Sequence, residues 1–156
     1  MKRFSDLLKE SAERVNEIFP WDLEDVLEQR TVMLLDVREP DEFNSMHIKG
    51  SINVPRGILE TACEYDFEDT VPELVSARNK EIIVICRSGN RSLFACDVMQ
   101  QMGYTKVKSL KTGIRGWFES DQPMINHKSE TVSEDEADAF FTTLLRPEQL
   151  SINNPA

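Results

Sequence analysis

Two short runs constrain this chain more than anything else in it. "TVMLLD" (31–36) and "EIIVIC" (81–86) are continuously apolar, rich in branched residues and too short for helices. Side chains alternate across a strand, so a run that is apolar at every position needs cover on both faces. Such runs predict central strands of a parallel sheet, and parallel strands require crossover connections, usually helices. Each run also ends on a residue with chemistry, Asp36 in the first and Cys86 in the second. In open α/β sheets, ligands bind beyond the carboxyl ends of the strands.

The segments between carry helical patterns. "PDEFNSM" comes after the first run, "RGILETACEY" and "DTVPELVSA" precede the second, and "RSLFACDVMQQM" comes after it. In the last of these Ala95, Val98, Met99 and Met102 fall at i, i+3, i+4 and i+7, with Gly103 placed to stop the helix. "SINVP" (51–55) and "KVKSL" (106–110) are weaker strands. Before them, Phe4, Leu7, Leu8, Ala12 and Val15 predict an amphipathic helix over the first 14 or so residues, and "WDLEDVLE" predicts a second after Pro20. The alternation implies an α/β domain with a mainly parallel sheet. From about Gln122 the chain reads as an acidic linker and then a helix. Ser133 and Glu136 fit a capping box, Ala137, Phe140, Phe141, Leu144 and Leu145 form its apolar stripe, and Pro147 closes it. The resulting division is a helical extension (1–14), the main domain (15–121) and the linker with its terminal helix (122–156).

Composition removes several function classes. A net charge of −10 argues against nucleic acid, whose phosphates need concentrated positive charge. No apolar run approaches the ~20 residues of a membrane span. The basic start "MKR" leads into acid-interrupted helix, not a secretion signal, so a cytoplasmic protein is expected. Cys63, Cys86 and Cys96 form no CxxC pair and no zinc-ligand spacing, so free thiols and no metal are expected. An anionic substrate would have to be held by local positive charge, against the global field.

Most cysteines at strand ends are packing residues. The residues after Cys86 argue for a different role. Ser88, Gly89 and Asn90 are small or turn-forming, so the backbone can curl with its N–H groups inward as an anion nest. A helix beginning near Arg91 would aim its positive end into that loop, and Arg87 and Arg91 add full charges. Such surroundings favour a reactive thiolate. Cys63 and Cys96 lie in helical patterns and read as core.

With these residues in view, the chain resembles the single-domain rhodaneses, sulfurtransferases that use thiosulfate or persulfides. "CRSGNRS" (86–92) is similar to the family's active-site loop, in which cysteine leads and arginine closes. "LLDVREPDEFNSMHIKGSINVP" (34–55) resembles its first motif and "GIRGWFES" (113–120) its closing Gly-Trp motif. The likeness runs from about Val15 to Ser120. It implies a central five-stranded parallel sheet flanked by helices, here with extra helices at both termini. It also implies that Asp36 supports the loop from the neighbouring strand, pairing with an arginine, and that Arg38, Glu42 and Asn53 form a structural network around it. His47 belongs with those motif residues and not against the cysteine. Met46 and Thr112 depart from the glycines usual at their positions.

Loop length separates sulfur from phosphorus chemistry. Phosphatases and arsenate reductases with this fold place five residues between cysteine and arginine. Here Arg87, Ser88, Gly89 and Asn90 alone separate Cys86 from Arg91, and Ser92 stands where the phosphatase arginine would be. The smaller ring suits one sulfane sulfur on Cys86. The implied reaction is ping-pong transfer from thiosulfate or glutathione persulfide to cyanide, a thiol or a sulfur-carrier protein, with no cofactor required. The rival readings are a phosphatase or arsenate reductase and a non-catalytic interaction module. The terminal helices leave open a homodimer.

Overall fold

The computed structural model describes residues 1–154. Five strands form one parallel sheet: β1 (Asn16–Ile18), β2 (Met33–Asp36), β3 (Ile52–Asn53), β4 (Glu81–Ile85) and β5 (Lys106–Leu110). Their spatial order is β1-β5-β4-β2-β3, which puts the two apolar runs side by side in the middle. Both faces of those runs are covered, as continuous apolarity requires. Leu35, Ile82 and Val84 join one cluster, and Leu34, Ile83 and Ile85 join the other.

Among the described residues, eight α-helices surround the sheet: α1 (Phe4–Ala12), α2 (Pro20–Gln29), α3 (Pro40–Ser45), α4 (Leu59–Ala62), α5 (Pro72–Val75), α6 (Asn90–Gln101), α7 (Gly113–Glu119) and α8 (Glu134–Phe141). α6 closes where expected, with the N–H groups of Gly103 and Tyr104 returning to the carbonyls of Gln100 and Met99. No helix among the described residues is long and apolar enough to cross a membrane.

Several expectations need correction. α1 stops at Ala12, and Val15 is buried beyond its end. "RGILETACEY" forms a 3-10 turn (Arg56–Ile58) and the single turn of α4, not a continuous helix. The terminal stripe is shorter than its pattern: α8 ends at Phe141, Thr142 turns extended, and Leu144 and Leu145 are 86% and 59% exposed. The β-branched pair Thr142-Thr143 supports helix poorly, and the Thr142 hydroxyl bonds back to the Asp138 carbonyl at 2.7 Å. Pro147 opens a 3-10 turn of its own. The segment after α7 packs against the domain: Met124 is buried, Ile125 bridges to both His47 and Thr131, and Trp117 Nε1 donates to the Pro123 carbonyl at 3.0 Å. β1 has no clear signal in the sequence, because "NEI" is a three-residue edge strand whose two polar residues face water.

Candidate active site

Cys86 directly follows β4, and Asp36 ends the adjacent β2 in register with Ile85. The turn after Cys86 reverses at Gly89, whose φ of +93° suits glycine, and α6 starts at Asn90. The loop is held from behind by the N-terminus of α7. Ile114 and Arg115 donate their N–H groups to the carbonyls of Cys86 and Arg87 at 2.9 and 3.1 Å. Gly113 allows this approach, since a Cβ there would lie 2.5 Å from the Cys86 carbonyl oxygen. With the first carbonyls drawn outward to α7, the loop's N–H edge turns inward. The Gly89 N–H accordingly reaches the Cys86 sulfur at 3.1 Å.

The sulfur is almost enclosed, with Cys86 1% exposed, while Ser88 at the tip of the loop is exposed. Behind it, Ser92 Oγ lies 3.2 Å from Sγ and 2.7 Å from Ser109 Oγ of β5. Both serines are fully buried. The loop therefore offers the sulfur one amide and one hydroxyl.

The two loop arginines do not point free charge at the sulfur. Arg91 forms a bidentate pair with Glu42 of α3, with both bonds at 2.8 Å. This pairing holds the Glu42 carboxyl below the usual carboxylate range and raises the Arg91 guanidinium. Arg87 turns to the C-terminal end of α8, donating to the Phe141 carbonyl at 3.1 Å. Its guanidinium lies over the Phe140 and Phe141 rings, 5.6 and 5.8 Å from their centroids. A chain segment distant in sequence thus touches the loop.

Asp36 does pair with an arginine, and it is Arg38. Both are fully buried. Arg38 Nη2 and Nε donate to Asp36 at 2.8 and 3.0 Å, and Nη2 also reaches the Met46 carbonyl at 2.7 Å. Asn53 ties the carbonyls of Asp36 and Arg38 together at 3.0 and 2.9 Å. His47 stacks on Phe43 at 3.8 Å between centroids, and its Nδ1 meets the Phe43 carbonyl at 2.7 Å. Cys63 and Cys96 are fully buried, and burial pushes both thiols up. Beside Arg91 opens a cleft of about 430 Å³, lined by Glu39, Arg56, Glu60 and Phe94 among others.

Comparison with known proteins agrees with this architecture. Residues 20–120 match the model of the rhodanese-like domain. The chain belongs to the rhodanese-like domain family. Among its relatives, a Schizosaccharomyces pombe protein named provisionally as a mitochondrial thiosulfate sulfurtransferase is 36% identical over 81 residues, 50% of this chain. The sulfur carrier protein YrkF of Bacillus subtilis, so named provisionally, is 36% identical over 84 residues, 54% of this chain. The chain spans only 57% and 40% of these two rhodanese relatives. A solved structure from Rhodopseudomonas palustris, described as a protein of unknown function and possible tyrosine phosphatase, superposes with a TM-score of 0.72. At 23% identity over 80% of this chain and 95% of that one, it shares the rhodanese fold.

Sequence reasoning places Glu42 in a network but does not reveal that it holds Arg91. It misses Ser109 altogether, and it places Phe141 in the terminal stripe without its contact to Arg87. A signal for Ser109 is present, a small polar residue two positions from core Val107 on the same strand face. Nothing in the sequence joins Phe141 to Arg87, which are 54 residues apart.

Proposed function

We propose that this protein is a sulfurtransferase in which Cys86 carries a sulfane sulfur as a persulfide, within the loop Arg87, Ser88, Gly89, Asn90, Arg91 and Ser92. One observation carries the reading. The Cys86 sulfur sits inside a loop with only four residues before Arg91, facing the Gly89 N–H and the Ser92 hydroxyl. Such a ring has donors for a sulfur anion and little width for a phosphate. Cys86 attacks the outer sulfur of thiosulfate, or the terminal sulfur of a low-molecular-weight persulfide, and sulfite or a thiol leaves. Inward N–H groups and the start of α6 then stabilise the charged terminal sulfur. A thiol, cyanide in an assay, or a carrier protein removes it, in a ping-pong cycle. Asp36 and Arg38 act by holding β2 and the α3 segment under the loop, and a cytoplasmic setting keeps the thiols reduced. Arg56 and Arg91 line the neighbouring cleft together with Glu39 and Glu60, and Arg91 is already paired with Glu42, so an anionic donor would meet guanidinium hydrogen-bond donors there and no excess of positive charge.

The test is to charge the protein with thiosulfate, and in parallel with glutathione persulfide, and then strip small molecules. The mass should rise by one sulfur atom, peptide mapping should place it on Cys86, and cyanide should release it as thiocyanate. Cys86→Ser should take up none, while Cys63→Ser and Cys96→Ser charge normally. Hydrolysis of a phosphate ester by a protein that neither donor charges would overturn the proposal in favour of the phosphatase reading.

A further inference from the structure

Ser109 lies in β5 opposite Val84, two residues before Cys86. Its buried hydroxyl meets Ser92 Oγ at 2.7 Å, and Ser92 reaches the Cys86 sulfur at 3.2 Å. Among the described residues, Ser92 is the one hydrogen-bond partner of the Ser109 hydroxyl. Each hydroxyl has a single proton, and Sγ has none when Cys86 is a thiolate or a persulfide. In those states the Ser92–sulfur bond is donated by Ser92, which leaves Ser109 to donate the bond between the two hydroxyls. Both protons are then used and the chain ends on sulfur as the acceptor, with no buried hydroxyl proton unpartnered.

We infer that Ser109 is a positioning residue that polarises Ser92 toward Cys86, stabilising negative charge on Sγ as it forms. The inference rests on the reading of Cys86 as the sulfur carrier. In the charging half-reaction Sγ bonds to the donor's outer sulfur, and the donor's own S–S bond breaks, its electron pair leaving with sulfite. In the discharging half-reaction the acceptor bonds to the terminal sulfur, the Cys86 S–S bond breaks, and the pair returns to Sγ. A hydrogen bond to Sγ strengthens as that pair arrives, so it lowers the discharge barrier. Where Cys86 is already the thiolate, the same bond makes it a slightly weaker nucleophile and gives charging no help. Ser109 therefore acts on one half of the cycle.

Ser109→Val and Ser109→Thr have nearly equal volume and differ in the hydroxyl, so the pair controls for packing. Ser109→Val should lower kcat/KM for cyanide about tenfold, the scale of one hydrogen bond to a charged group, with kcat/KM for thiosulfate changed less than about threefold. Ser109→Thr should keep the cyanide value within about threefold of the wild type. Equal losses in both half-reactions, or equal behaviour of the two variants, in a protein whose wild type charges normally would overturn this inference alone. A wild type that thiosulfate and glutathione persulfide both leave uncharged at Cys86 would overturn the proposed function, and this inference with it.

Discussion

Arg38 is sealed from solvent, and its guanidinium is satisfied by one carboxylate and nearby carbonyls. Removing one member of a buried pair strands the other charge, at a cost of about 3–5 kcal/mol. Arg38→Ala and Asp36→Ala should each destabilise the protein by that amount in urea unfolding, and a loss under ~1 kcal/mol would mean the pair contributes no such constraint. Glu42 gives a different signature. Its carboxyl is held low in the folded state by Arg91, then by the Glu39 N–H. A lowered folded value means that the pair's stabilisation is full above the ordinary carboxylate range and is lost as pH falls through the lowered value. Stability measured between pH ~7 and ~3 should fall more in the wild type than in Glu42→Gln. Parallel curves would show that Glu42 titrates alike in both states.

At the scale of elements, α8 is the piece that joins the site from outside the family match. Phe141 is buried, stacks on Phe118 at 5.7 Å and presents its carbonyl to Arg87. Phe141→Ala should cost about 3–5 kcal/mol, as for other buried aromatics. Ending the chain after Ser129 should lower Tm clearly, whereas ending it after Thr143 should leave Tm nearly unchanged, because Leu144 and Leu145 lie in water. Equal Tm values for the two truncations would mean that α8 adds nothing to the fold. At the other end, Ser11 of α1 and Arg14 just beyond it fasten the N-terminal segment to Asp97 of α6, at 3.0 and 2.6 Å. The same helix, α6, thus starts at the candidate loop and anchors the N-terminal extension.

Taken whole, the molecule carries a net charge of −10 while its candidate donor is an anion. At ~0.01 M salt the Debye length is about 30 Å and the approaching donor meets the whole field; near ~0.15 M it is about 8 Å and most of that repulsion is screened. kcat/KM for thiosulfate should therefore rise with ionic strength over that range, while the value for a neutral thiol acceptor stays flat. A fall for thiosulfate would show that local positive charge around the loop outweighs the net charge even at long range.

Much of this arrangement was legible from local pattern. Continuous apolarity in 31–36 and 81–86 demands burial on both faces, and that demand alone places two central parallel strands with Asp36 and Cys86 at their ends. Gly89 and its small neighbours mark the turn, because few other residues allow it. Tertiary structure decided what pattern cannot encode, the pairing of groups distant along the chain. Arg91 could have faced the sulfur but is held by Glu42; Arg87 could have faced solvent but lies under Phe140 and Phe141. Ser109 meets Ser92 only because β5 aligns beside β4. Spacing in sequence sets which face a residue takes on its own element, and only packing sets what stands opposite.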